Sequence, residues 1–126
     1  MLRSLASGSV AISSVLFCAG VASAQNVPFM VTDINASGGS RPNHITQIGG
    51  VTYFWADDGV TDHELWKTDG TAAGTVMVKD ICPPGFTPSL GTPFVEFQNK
   101  VYFGACDGIH GGELWRTNGT ESGTFM

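Results

Sequence analysis

Hydrophobic and polar side chains alternate along most of the chain in short runs, and each run ends in a turn signal. Residues 44–48 read His-Ile-Thr-Gln-Ile and residues 94–98 read Phe-Val-Glu-Phe-Gln. Both alternate as half-buried strands do. Gly49-Gly50 and Asn99-Lys100 follow them as short hairpin turns. A further run, rich in aromatic residues, occupies 52–56 and again 101–105, and leads into Asp58-Gly59 and Asp107-Gly108. Next comes Glu-Leu-Trp-x-Thr, at 64–68 and 113–117, closed by Asp69-Gly70 and Asn118-Gly119. Asp-Gly and Asn-Gly suit turns that need positive φ. Runs at 29–34 and 76–81 share Val-x-Asp-Ile and open each series. The pattern predicts an all-β fold of two four-stranded antiparallel meanders, 29–77 and 78–126.

The two series are copies. ELWKTDGTAAGT at 64–75 returns as ELWRTNGTESGT at 113–124, and an ungapped alignment of 52–77 with 101–126 matches at more than half its positions. The matches fall on Tyr53/Tyr102, Phe54/Phe103, Ala56/Ala105, Asp58/Asp107, the Glu-Leu-Trp triplets and the Gly-Thr frame. Those are core and turn positions, which fix a backbone. A repeat near 50 residues with four strands has the size of a β-propeller blade, and closed propellers usually hold about four to eight blades. Two units make an incomplete ring. The expectation is either a piece of a longer repeat protein or a chain that completes its ring by self-association.

Composition agrees with short strands and tight turns: 17 glycines and only 13% charged residues in a chain of 126. Net charge is −5, with no Lys/Arg cluster, which argues against a nucleic-acid partner. Residues 1–24 read as an export signal. Arg3 supplies the positive start, 10–21 is an apolar run too short to span a bilayer, and Ala22-Ser23-Ala24 is a small-x-small cleavage site before Gln25. A lipoprotein signal at Cys18 is the weaker reading, because Phe17 stands where a small residue is needed. No later stretch is long and apolar enough to cross a membrane as a helix, so the mature chain 25–126 is expected to be secreted or held at the cell surface.

These residues resemble the ELWxxDGT repeat of secreted bacterial proteins, sometimes labelled hyalin-like. Glu64-Leu65-Trp66, Asp69-Gly70-Thr71, Gly74-Thr75 and Val78-Lys79-Asp80-Ile81 fit its pattern, and the likeness covers essentially all of 29–126. The departures are Asp62-His63, where the second copy has Gly111-Gly112, and Asn118 in place of the turn Asp. Members carry many copies. The resemblance implies an exported, propeller-like module and no defined activity.

Candidate chemistry is sparse. Asp57, Asp58 and Asp62 share a loop and Asp107 is the counterpart of Asp58. They are candidates for calcium, which takes oxygen ligands, although Asp-x-Asp-x-Asp spacing is missing and Asp-Gly is a common turn pair. Trp66 and Trp115 read as packing residues. Trp55 has Gly104 as its counterpart, which makes it the candidate ligand-facing aromatic, with a core position as the alternative. Glu64 and Glu113 would pair with Lys79 or Lys67, or hold a loop backbone. His44, His63 and His110 read as surface or loop residues. Cys82 and Cys106 replace Asn35 and Asp57 of the first copy, a paired gain that suggests a disulfide in an exported chain. Without a nucleophile–base pair or a phosphate-binding glycine motif, the expectation is a structural or binding module, not an enzyme, with an unknown protein or glycan ligand and no cofactor apart from the calcium candidate. The alternatives are a calcium- or carbohydrate-binding part of a larger secreted enzyme or adhesin, and a nonfunctional truncated product.

Overall fold

A computed structural model describes residues 27–83 and 91–126; the export-signal reading of 1–24 lies outside them. The described residues are all-β, in two antiparallel sheets with no helix. The first sheet runs β1 (Asn43–Ile48), β2 (Val51–Asp57), β3 (His63–Thr68), β4 (Val76–Lys79), in that spatial order. The second runs β5 (Val95–Phe97), β6 (Lys100–Cys106), β7 (Gly112–Thr117). Sequence neighbours pair throughout, so both sheets are simple meanders.

The frame differs from the one the repeat suggests. Val76–Lys79 closes the first sheet, pairing Val76 with Lys67 and Lys79 with Leu65, and does not open the second. Residues 29–34, spelled much like 76–81, form no strand, because no neighbouring strand supplies their ladder. The second hairpin turn also shifts: Gln98-Asn99 makes it, both residues at positive φ, one position before the Asn99-Lys100 expected.

The Thr-(Asp/Asn)-Gly-Thr-x-x-Gly-Thr signature is a loop wired by its own side chains. Asp69 Oδ1 accepts from the Thr71 N–H at 2.9 Å and the Thr71 hydroxyl at 2.7 Å. The Thr71 Oγ1 accepts the Gly74 N–H, and the Thr75 hydroxyl donates to the Thr71 carbonyl. Thr68 and Thr75 hydroxyls meet at 2.7 Å across the loop's base. Asn118, Thr120, Gly123, Thr124 and Thr117 repeat every one of these bonds. The second glycine is obligatory, since a Cβ at Gly74 or Gly123 would overlap the Asp69 or Asn118 side chain. The loop is thus seven residues long, where a two-residue hairpin was the simpler reading of Asp-Gly.

The sheets pack face to face through unlike sides. Alternation puts Tyr53, Trp55 and Leu65 on one face of the first sheet. They meet Val101, Phe103, Ala105 and Trp115, which lie on the opposite kind of face in the second. A bulge between Leu65 and Trp66 leaves Val78 unpaired in the ladder, and it joins this core together with Ile81. Trp55, only 1% exposed, stacks on Phe94 at 5.6 Å between ring centres and meets Phe103 edge-on at 5.4 Å. Its indole N–H donates to the Thr92 carbonyl, and a Cβ at Gly91 would fall inside its ring. The Lys67 ammonium donates to the Gly119 carbonyl at 2.7 Å, tying β3 to the second sheet's wired loop.

Truncating Trp55 to Ala removes its stack on Phe94 and its edge contact with Phe103 and should cost about 3–5 kcal/mol in a urea melt. Thr71→Val, which removes a hydroxyl that both donates and accepts, should cost about 1–3 kcal/mol, with the same penalty for Thr120→Val.

Candidate functional site

The most perturbed side chain of the first sheet is Glu64. It pairs with Ala56 across β2 and β3 and is fully buried. Its carboxyl accepts the Ile81 N–H at 2.6 Å and the Cys82 N–H at 3.1 Å, one on each oxygen. Of the roles open to it, holding a loop backbone is the one realised. Burial pushes its pKa up from 4.5 to about 7; the two N–H donors oppose the shift and the charges of Asp80 and Asp62 add to it. A carboxyl titrating near neutrality is often a catalytic acid. Here both oxygens are engaged by backbone and none reaches solvent, so the group acts as a clamp on the exit of β4. Its counterpart Glu113 is exposed.

The aspartates of the calcium reading serve their own loops. Asp57 Oδ1 accepts the Gly59 N–H at 2.6 Å. Asp58 Oδ1 accepts the Val60 and Thr61 N–H groups and the Thr61 hydroxyl. Asp107 Oδ1 accepts the Ile109 and His110 N–H groups, while Oδ2 lies 2.6 Å from His110 Nδ1. These bonds hold the Asp107 carboxyl well below the usual range, and the His110 imidazole is raised in return. Asp62 adopts positive φ. Among the described residues no three His, Cys, Asp or Glu side chains gather as a metal site. Asp58 and Asp107 perform the same turn-capping task in both copies, the reading that Asp-Gly already allowed.

The structure decides one open reading and overturns another. Trp55 is not a ligand-facing aromatic; the core position held open as its alternative is the one it takes, because Phe94 and Phe103 cover its ring, the Thr92 carbonyl takes its N–H and Gly91 leaves room for the indole. His63 is buried at the start of β3, not on the surface. Cys82 is buried and Cys106 half-buried. Burial raises the Cys82 thiol, and the Glu64 and Cys106 charges add to it.

Among the described residues lies an open cleft of about 410 Å³ with mostly apolar walls. Residues 30–34 form one side, and Ile45, Thr52 and Phe54 of the first sheet form the other. No motif announced it, because it lies between a sheet face and a segment that the pattern had assigned to a strand.

Stability should fall as pH rises. Between pH 4.5 and about 7 the unfolded chain releases the Glu64 proton while the folded chain keeps it, so folding loses about 1.4 kcal/mol per unit across that window and levels off above it. Glu64→Gln should flatten this slope in denaturant midpoints measured from pH 4 to 8.

No protein-family model, no curated protein and no solved structure matches the chain.

Proposed function

We propose that the chain is an exported β-repeat module of the ELWxxDGT kind, with a propeller-like arrangement of its sheets and a structural or binding role without catalysis. The observation that carries this reading is where the repeated residues go. Asp69 and Asn118, with the threonines and glycines around them, wire the loops. Asp58 and Asp107 cap turns. Glu64 clamps the chain after β4, and Leu65 and Trp115 fill the core between the sheets. Most residues that recur in both copies are thus engaged in holding a backbone or a core, as repeat architectures require, with Glu113 and Leu114 the exposed exceptions; a site for a ligand other than the chain itself falls to positions where the copies differ. The apolar run 10–21 behind Arg3 and the Ala22-Ser23-Ala24 site support export. Among the described residues no helix is long and apolar enough to cross a membrane.

Expressed in a bacterial host, the full chain should appear outside the cytoplasm with Gln25 as its first residue by N-terminal sequencing. Replacing Ala22 and Ala24 with Arg should keep the uncleaved chain in the cell fraction. Export unaffected by those changes would overturn the reading.

A further inference from the structure

The internal contact between the sheets is directional. The first sheet presents Tyr53, Trp55 and Leu65, and the second receives them with Phe94, Val101, Phe103 and Trp115. Because the copies repeat, each sheet also carries the other kind of face. The second sheet's presenting face holds Tyr102, Leu114 and Arg116 at the positions of Tyr53, Leu65 and Lys67. It points away from the first sheet, and Leu114 is 67% exposed where Leu65 is 0%. The first sheet's receiving face holds Ile45, Thr52 and Phe54 at the positions of Phe94, Val101 and Phe103, and these residues wall the apolar cleft.

The cleft's other wall completes the correspondence. Residues 31–34 read Val-Thr-Asp-Ile, against Val-Lys-Asp-Ile at 78–81. Val78 and Ile81 belong to the internal core and follow the fourth strand of the first sheet. The second sheet has three strands, with β7 at its edge and only an isolated bridge from Arg116 to Phe125 beyond it. Glu113, on that edge strand, is exposed, whereas Glu64 holds the N–H groups of Ile81 and Cys82.

We propose that a second copy of this chain docks head to tail on the first, the second sheet of one copy entering the cleft of the next. Leu114 and Tyr102 pack on Ile45, which is 64% exposed, and on Thr52. Residues 31–34 of the receiving copy run along the open edge of β7 as a fourth strand, and Glu113 accepts the Ile34 and Asn35 N–H groups. Gly104 replaces Trp55 and Ile45 replaces Phe94 in this contact. Both losses fall on the single Trp55–Phe94 stack, so the second contact is the shallower of the two. It is heterologous, and it continues from copy to copy until the rotation closes. The proposal rests on the internal sheet-to-sheet contact and not on export or on the absence of catalysis, so either can fail without the other.

Light scattering on the full chain during size exclusion tests it. The wild type should run as a concentration-dependent oligomer. Leu114→Arg, which spoils only the presenting face, and Val31→Arg, which spoils only the cleft, should each run as monomers with unchanged circular dichroism. Mixed one to one they should form a discrete dimer, since one chain keeps its cleft and the other its presenting face. Ile45→Arg replaces Val31→Arg if that variant does not fold. Glu113→Ala should weaken association roughly ten- to a hundredfold without moving the melting temperature, whereas Glu64→Ala should lower the melting temperature. A wild type that stays monomeric at its solubility limit, or a mixture that does not dimerise, would overturn the proposal and leave the cleft to a different partner.

Discussion

Neither sheet can bury its aromatic face alone. Trp55, Tyr53 and Leu65 are covered only because Phe94, Phe103 and Trp115 arrive from a strand set some forty residues further on. A two-layer contact of this kind is the minimum from which a repeat gains stability, since each unit leaves one face for its neighbour. The other devices of the structure serve the alignment of that contact. Lys67 fixes one edge of it to the Gly119 carbonyl. Glu64 fixes the other by drawing Ile81 into place. The wired loops set where β4 begins and where the bridge to Phe125 forms.

Short-range features were legible in the sequence. Alternation located β1, β2, β3, β6 and β7 to within a residue or so, and Asp-Gly and Asn-Gly marked the loops, because these signals depend on a few adjacent side chains. Pairing was less legible. The likeness of 29–34 to 76–81 is real, but spelling alone does not say that one stretch finds a neighbouring strand and the other does not. Trp55 shows the same limit: its fate is decided by Phe94, Thr92 and Gly91, whose proximity depends on how one sheet lies on the other. The Glu64 clamp joins residues seventeen and eighteen positions apart, so sequence could offer backbone capture as one role among several and no more.

The copies differ in ways that carry physical weight. The first has a buried carboxyl, a buried histidine and a large indole in its core; the second has Glu113, Gly112 and Gly104 at the same positions. Both place an indole N–H, Trp66 Nε1 and Trp115 Nε1, in a buried position without an acceptor among the described residues. An unpaired buried donor costs about 1–3 kcal/mol, so the repeat carries this penalty twice.

The wired loop also bears on how the chain ages. An Asn followed by Gly is prone to lose its amide, because the glycine nitrogen can attack the side-chain carbonyl. In the second loop the Gly119 N–H is held by the Thr117 hydroxyl at 2.9 Å, inside a buried corner, while the Asn118 oxygen is occupied by Thr120. The atoms that would have to meet are each engaged elsewhere. Direct hydrolysis of Asn118 would yield aspartate, the residue that Asp69 already supplies to the same geometry in the first loop. The fold thus slows the damage and tolerates its simplest product.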